Sequence, residues 1–272
     1  MDDQALHDQD KISRRYFLAE GTRLIAMGGM GALLAGMGWP DAAAAQNWLS
    51  LLKSKQKGGH GIVKKLKGAA TASGRPLAVG SRVESGEDVR VDRKSWMILS
   101  LSDNTILRAN SEAQFSLEIS SKRTGLFRLL VGSLLTVMPR GNRYLVALPT
   151  ATVGIKGTIF FHQIYHPNER MALDAKDNRV KIPSGINEYF CLCNGQADFM
   201  QGRDARKFFS DDSSYHNSYF VDPRQDNPLV RAPQLNHTDD QILELIDHQS
   251  GEKHDSGWIR AYRNTYESES GA

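Results

Sequence analysis

Alternating apolar and polar positions dominate the middle of the chain, from about Gly68 to Phe199. Short apolar runs are separated there by turn residues every eight to twelve positions, which is typical of an all-β domain. The stretch SWMILSLSDNTILRA shows the pattern, because its first strand is largely apolar on both faces and is therefore predicted to be buried on both sides. One face carries Trp96, Ile98 and Ser100, and the other carries Met97, Leu99 and Leu101.

Three further stretches predict the remaining strands of this domain. GLFRLLVGSLLTVM predicts two strands broken at Gly132, and RYLVALPTATVGIKGTIFFHQIY predicts two more, with Pro149 at an edge or bend. EYFCLCNGQADFM predicts the last strand, which turns at Asn194–Gly195. His162 and His166, four residues apart in FFHQIYH, are interpreted as surface residues beside a loop. The predicted fold is mainly β, a compact sandwich or β-roll of short strands.

The pattern changes in an extension that covers residues 201–272, where β periodicity is weak. Thr238 and Gln241 have the spacing of a capping box and precede a cluster of apolar positions. The extension is therefore predicted to be irregular, with one short helix at about residues 239–248. His237 would lie just outside that helix, at a position that the cap holds fixed.

The N-terminus has the features of an export signal over residues 1–45. Arg14 and Arg15 resemble the twin-arginine motif, a weakly apolar glycine-rich run follows, and Ala43 and Ala45 match a small-x-small cleavage site. We expect a periplasmic or secreted protein. The alternative is an uncleaved segment that anchors the chain in the inner membrane, but the run is shorter than the roughly 20 residues of a spanning helix.

Charge is distributed unevenly along the chain, although its net value of +3 is small. The segment between Gln46 and Val83 holds eight basic residues and no acidic residue. Residues 46–69 are interpreted as a solvated basic linker or short helix, with weak electrostatic contact with anionic envelope polymers as the alternative. Nucleic acid is not an expected partner, because the chain is exported and no aromatic residues interleave the lysines.

The order of these features resembles the FecR-type extracytoplasmic β domain over residues 70–200. The resemblance is carried by SRVESGEDVRVDRKSWMILSLSDNTILRA, GLFRLLVGSLLTV and ALPTATVGIKGTIFF. Its most specific part is GIKGT, which contains Gly154, Lys156, Gly157 and Thr158. Family members usually have arginine at the Lys156 position and Asp–Gly at Asp103–Asn104. The glycines predict a structural corner, and a ligand contact through Lys156 is the alternative.

The resemblance implies an extracytoplasmic binding or sensory module. The founding type of the family senses an occupied outer-membrane receptor and signals through a membrane helix to a cytoplasmic segment that binds a sigma factor. Only about 23 residues precede the apolar run here, so that pathway is not expected if the signal is cleaved. An envelope protein or a small ligand is the expected partner.

The two cysteines of the chain, Cys191 and Cys193, lie two apart in a predicted strand and therefore face the same side. Their Cα atoms would be about 6.6 Å apart with parallel side chains, so a disulfide between them would be strained. A two-thiolate metal chelate is one hypothesis, with His216 and His237 as the other ligands and zinc or iron as the metal. Inert buried thiols and a redox-active disulfide are the alternatives.

Recognised catalytic motifs are absent from the sequence: it has no nucleophile elbow, phosphate loop, HExxH or paired CxxC. Asp211–Asp212 and Asp239–Asp240 are interpreted as solvated turn and cap residues. A non-enzymatic envelope module is therefore predicted. The alternative is a periplasmic redox or metal-dependent enzyme centred on Cys191 and Cys193.

Overall fold

The structure is a computed structural model that describes residues 58–119, 123–147, 151–201, 208–222, 224–225 and 229–249, together with Tyr262 and Asn264. The side chains of Met200, Gln201 and Phe208 are not described. The predicted export signal, with Arg14, Arg15, Ala43 and Ala45, lies outside these residues. Within the described part of the chain, no helix has the length and apolar character needed to span a membrane.

The described residues up to Gln249 form seventeen strands and one helix, which confirms a mainly β fold with one short helix. The helix, α1, spans Asp239–His248. The strands are β1 His60–Lys67, β2 Ala70–Ala72, β3 Arg75–Pro76, β4 Arg82–Glu84, β5 Asp88–Val91, β6 Trp96–Leu101, β7 Ile106–Ala109, β8 Gln114–Ile119, β9 Thr124–Val137, β10 Arg143–Ala147, β11 Ala151–Ile164, β12 Met171–Leu173, β13 Arg179–Lys181, β14 Glu188–Gln201, β15 Phe208–Ser213, β16 Asn217–Val221 and β17 Leu229–Arg231.

Fifteen of these strands join in one large mixed sheet, and β12 and β13 form a separate pair. The main path runs β17-β16-β14-β11-β10-β9-β7-β6-β1-β4. The β9–β10 pair is parallel, whereas β10–β11, β11–β14 and β9–β11 are antiparallel. Strands β15 to β17 belong to this sheet, so the β domain continues beyond its predicted end at residue 200.

Three strands are 14 residues long and bend at glycines instead of ending there. The predicted breaks at Gly132 and at Asn194–Gly195 are therefore wrong, because both positions lie inside continuous strands. Gly132 has φ +85°, and a Cβ there would come within 2.5 Å of Ala113 Cα. Gly195 has φ +104° and is packed against Thr158. A glycine in a strand permits a bend without ending the pairing.

Strand β11 bends at Gly157, as the corner interpretation of GIKGT requires. Gly157 has φ +53°, and a Cβ on it would come within 2.7 Å of Arg140 Cα. The pairing with β14 shifts register between Lys156 and Ile159. Gly154 has no such constraint, because its nearest neighbour would be 3.7 Å away. Lys156 is exposed and forms an ion pair of 2.8 Å with Asp198.

Two buried apolar layers lie on the two faces of the central strands. The inner core includes Met97, Leu99, Phe127, Phe160 and Leu192. The helix-side core includes Ile98, Phe161 and the apolar face of α1. Strand β6 contributes to both layers, which confirms its predicted burial on both sides.

The predicted basic linker is partly wrong, because β1 lies within residues 46–69 and pairs with β4 and β6. Val63 is buried, whereas Lys64, Lys65 and Lys67 are exposed. The adjacent Lys64 and Lys65 coincide with a register shift in the pairing with β6, between Val63 and Lys65. Lys65 forms an ion pair of 2.7 Å with Glu244 on α1. The rest of the proposed linker, residues 46–57, lies outside the described residues.

Helix α1 begins where the sequence predicts. Thr238 is the N-cap, and the reciprocal capping-box contacts with Gln241 are both present. Ile242, Leu245 and Ile246 are fully buried on the face that packs against the sheet. The opposite side carries Glu244, which contacts Lys65 and Arg108.

His162 is fully buried, so its interpretation as a surface residue is wrong. Its side chain lies near Phe160, with ring centroids 5.7 Å apart, and neither ring nitrogen has a hydrogen-bond partner among the described residues. Burial lowers the pKa of His162 to about 3. The imidazole is therefore neutral in the folded protein at every pH at which proteins are normally handled. His166 lies beyond the end of β11 and is half-buried.

We predict that His162→Phe reduces the fall in unfolding free energy that the wild type shows between pH 7 and pH 5. In the unfolded chain the imidazole takes up a proton below a pKa of about 6.5, whereas in the folded protein it does so only near 3. The wild type should therefore lose about 2 kcal/mol of unfolding free energy from this group between pH 7 and pH 5. Urea titrations at both pH values measure the loss. Equal losses between pH 7 and pH 5 in the wild type and in His162→Phe would contradict the prediction.

Candidate metal centre

Strand β14 places both cysteines on one face, as predicted. Cys191 and Cys193 belong to the helix-side core, whereas Leu192 between them belongs to the inner core. Both thiols are free and have no exposed surface. The two sulfur atoms are 3.6 Å apart, which is close for unbonded sulfurs and far from a disulfide bond.

His216 reaches the cysteines from the turn between β15 and β16. Its backbone has φ +43°, an uncommon conformation for a residue other than glycine. Its backbone N–H donates to the carbonyl of Cys193 at 3.1 Å, which holds the turn against β14. The side chain then lies with Nδ1 3.3 Å from the Sγ atom of Cys191.

His237 reaches the cluster from the start of α1. It directly precedes the N-cap Thr238 and is almost fully buried. Its ring stacks on Phe161 at a centroid distance of 4.4 Å and an interplanar angle of 15°. Its Nε2 atom is 3.5 Å from the Sγ atom of Cys193.

All four ligand atoms of Cys191, Cys193, His216 and His237 lie within 4.8 Å of one another. A tetrahedral zinc ion has Zn–S distances of about 2.3 Å and Zn–N distances of about 2.0 Å, so its S···S and S···N edges are about 3.8 Å and about 3.5 Å. The contacts of 3.6, 3.3 and 3.5 Å are close to these edges. The four groups that the sequence hypothesis named are therefore brought together, with three of their six ligand–ligand distances close to those of a tetrahedral site and none above 4.8 Å.

Hydrogen bonds outside the cluster orient both imidazoles. The Nδ1 atom of His237 is 2.7 Å from the carbonyl oxygen of Leu235. Because a carbonyl oxygen only accepts, Nδ1 is the donor in this hydrogen bond, and Nε2 is the nitrogen that faces the cluster. The Nε2 atom of His216 donates to Asp239 at 2.9 Å, which leaves Nδ1 facing Cys191. Metal-binding histidines generally have their second nitrogen engaged in this way.

Asp239 was missed as a site residue, because the Asp239–Asp240 pair was interpreted as a solvated cap. Its carboxylate is largely buried and accepts hydrogen bonds from His216, from Tyr215 at 2.9 Å and from Tyr262. Burial opposes the charge, but the hydrogen bonds from His216, Tyr262 and Tyr215 lower the pKa of Asp239 below its ordinary value. No local sequence signal pairs an aspartate at the first helical position with a histidine 23 residues earlier.

The cluster shifts the ionisation of its own members. Burial alone would raise the pKa of Cys191, but the hydrogen bond from Cys193 and the interactions with His237 and His216 hold it well below its ordinary value. Burial and the neighbouring Cys191 raise the pKa of Cys193 well above its ordinary value. Burial would lower the pKa of His216, but Asp239 and Cys191 outweigh it and raise that pKa to about 9. Without a metal, the geometry therefore favours one thiolate, one thiol and an imidazolium.

The motif residues of GIKGT lie outside this cluster. Gly154, Lys156, Gly157 and Thr158 occupy the bend of β11, and the exposed Lys156 binds Asp198. Strand β11 nevertheless contributes to the site through Phe161, which pairs with Cys191 across the sheet and lies under His237. The motif therefore shapes the strand that supports the cluster and supplies no ligand atom.

Comparison with protein-family models finds no match, and comparison with curated protein sequences finds none. Among solved structures, the fold is similar to a crystal structure from Parabacteroides distasonis ATCC 8503 that is provisionally assigned as an anti-sigma factor. The TM-score is 0.39 and the identity 11%, over 54% of this chain and 59% of that one. The chain thus matches less than two thirds of that structure, and a similarity this distant carries no functional argument.

We predict that Tyr189→Phe destabilises the segment that holds His237. The Tyr189 hydroxyl donates to the carbonyl of Pro233 at 3.0 Å and accepts from the N–H of Leu235 at 2.9 Å. Its loss leaves a buried backbone N–H without a partner, so the unfolding free energy should fall by about 1–3 kcal/mol in urea titrations.

Tyr165→Phe is the matched control, because the buried Tyr165 hydroxyl has no hydrogen-bond partner among the described residues. Its removal should leave the unfolding free energy unchanged or slightly higher. Equal losses in the two variants would show that the contacts of Tyr189 do not support the segment.

Proposed function

We propose that this protein is an exported, non-enzymatic binding or sensory module of the bacterial cell envelope. It carries a FecR-type β domain and binds one metal ion, zinc or iron, through Cys191, Cys193, His216 and His237. The observation that carries the metal assignment is the convergence of two sulfur and two imidazole nitrogen atoms within 4.8 Å. These ligand types suit zinc, and thiolate with imidazole also suits iron.

The chemistry of the donor set supports the assignment. Two thiolates neutralise a divalent cation, and metal binding would displace the proton that the raised pKa keeps on Cys193. Each imidazole has its outer nitrogen at a hydrogen-bond acceptor, so the inner nitrogen faces the metal position. Metal binding would also displace the proton that the raised pKa keeps on His216.

A closed site favours a structural or sensory role over catalysis. Four protein ligands complete a tetrahedron, whereas catalytic zinc sites keep one position open for water or substrate. Both cysteines have no exposed surface, and a thiol that reacts with substrates needs access. These observations weigh against the redox or metal-dependent enzyme and favour the binding module.

The envelope role rests on the sequence. The order of β segments over residues 70–200 resembles FecR-type domains, and the N-terminal segment resembles a twin-arginine signal. The described fold is mainly β, as that resemblance implies. An envelope protein or small ligand is the proposed partner, and weak contact with anionic polymers is the proposed role of the lysines that precede β1.

Metal analysis of the purified full chain tests the proposal. We expect about one equivalent of zinc or iron per chain, and substitution with Co²⁺ should give the ligand-field absorption of a tetrahedral site. Cys191→Ser, Cys193→Ser, His216→Ala and His237→Ala should each weaken binding, because each removes one ligand. His248→Gln, at the other end of α1, is the control and should bind metal as the wild type does.

The outcomes separate the proposals for the cysteine pair. Metal that is retained equally in all four ligand variants would disprove this site. A metal-free protein with two free, unreactive thiols would reduce the pair to core packing. A metal-free protein in which a thiol count finds no free thiol would support the redox alternative instead.

Export through the twin-arginine route gives a separate prediction. Replacing both Arg14 and Arg15 with lysine keeps the charge but removes the paired guanidinium groups, so the full-length chain should accumulate in the cytoplasm. Cell fractionation and mass spectrometry of the N-terminus measure this, and the wild-type periplasmic form should begin near residue 46. The control is Arg23→Lys, which should leave export unchanged. Normal export of the double variant would contradict the proposed route.

A further inference from the structure

The proposed metal site joins two parts of the fold that are distant in sequence. Cys191 and Cys193 belong to the central strand β14, whereas His237 directly precedes the cap of α1. Asp239, the first residue of α1, binds His216 on its outer nitrogen. We use the term helix cover for His237, α1 and Tyr262. Helix α1 and Tyr262 contribute buried side chains to the helix-side core, and His237 stacks on Phe161 of that core.

The first turn of the helix cover is connected to the cluster by buried polar contacts. Asp239 Oδ1 receives hydrogen bonds from His216 and Tyr262, and its Oδ2 receives one from Tyr215. The Tyr262 hydroxyl also lies 3.2 Å from the Nε2 atom of His216. One carboxylate therefore links the turn before β16, the start of α1 and a tyrosine 23 residues further along the chain.

The middle and end of the helix cover are held by contacts that do not involve the cluster. Glu244 binds Lys65 at 2.7 Å and Arg108 at 2.8 Å. Arg108 in turn lies over the ring of Trp96 at 4.2 Å. Gln249 donates to the carbonyl of Asn104 at 3.0 Å. These contacts attach α1 to β1, β7 and the β6–β7 turn. A substitution among them can therefore weaken docking of α1 without changing the site.

We propose that metal binding and docking of the helix cover are one coupled equilibrium, with Asp239 as the positioning residue that connects them. This inference rests on the proposed metal site. Opening the cover would move His237 away from the cysteines, so the site would lose one ligand. It would also remove Asp239 from His216, so a second ligand would lose its hydrogen-bond acceptor. Because coupling is reciprocal, a bound metal must then oppose opening.

The coupling has a structural consequence for the sheet. The apolar face of α1 covers buried side chains of β6, β7, β9 and β11 in the helix-side core, including Ile98, Ile106, Leu135 and Phe161. With metal bound, this face would stay covered. Loss of the metal would raise the population in which the face is accessible, so the site would control exposure of an apolar surface.

Hydrogen exchange of the full-length protein, with zinc removed by a chelator and with Zn²⁺ restored, tests the inference. We expect Zn²⁺ to slow exchange of the α1 amides by about tenfold or more, because opening then requires release of the metal. Amides of β5 and β8, whose buried side chains belong to the inner core and not to the helix-side core, serve as the internal reference and should change less. In Asp239→Asn, Zn²⁺ should bind about 10–100-fold more weakly, and at saturation it should slow α1 exchange less than in the wild type.

Glu244→Gln is the matched control, since it loosens docking without touching the site. Exchange in α1 should be faster both with and without Zn²⁺, while the ratio between the two conditions stays near the wild-type value. If Zn²⁺ binds at one equivalent and α1 exchange does not change, the coupling is disproved and the metal site stands. If Asp239→Asn keeps the wild-type ratio, the role of Asp239 is disproved. If no Zn²⁺ binds, the proposed function itself fails.

Discussion

From Tyr189 to Cys193, the side chains of β14 alternate between two buried layers, and all five are shielded from water. Tyr189, Cys191 and Cys193 enter the helix-side core, while Phe190 and Leu192 enter the inner core. The alternation follows from the pleat of a strand. It places two thiols side by side in an apolar layer. The other residues of the candidate site provide the charge and hydrogen bonds that these buried thiols need.

A buried thiolate needs compensating charge or hydrogen bonds, because desolvation disfavours the ionised form. Here the compensation runs from Cys191 to His216, from His216 to Asp239, and from Asp239 to Tyr215 and Tyr262. His216 and Asp239 each therefore have a hydrogen-bond partner on the side away from Cys191. Such a network is organised to hold ionised groups in a dry interior, which is also what a closed metal site requires.

The long strands explain how this interior is built without interrupting the sheet. Strands β9, β11 and β14 contain glycines with positive φ, at Gly132, Gly157 and Gly195. Each strand therefore bends and pairs with different neighbours along its two halves. Phe161 follows the bend of β11 and stacks beneath His237, so the strand that contains the glycine corner also supports one of the candidate ligands.

Local sequence determined what depends on neighbouring residues alone. The two-residue spacing of Cys191 and Cys193 fixed their common face, and the capping box at Thr238 fixed the start of α1, because both follow from short-range geometry. Tertiary structure decided what depends on distant partners. Gly132 and Gly195 became bends because a neighbouring strand continued the pairing, and His162 became buried because strands on both sides enclosed it. Asp239 became part of the site because folding brought His216 to it, and no pattern along the chain encodes that contact.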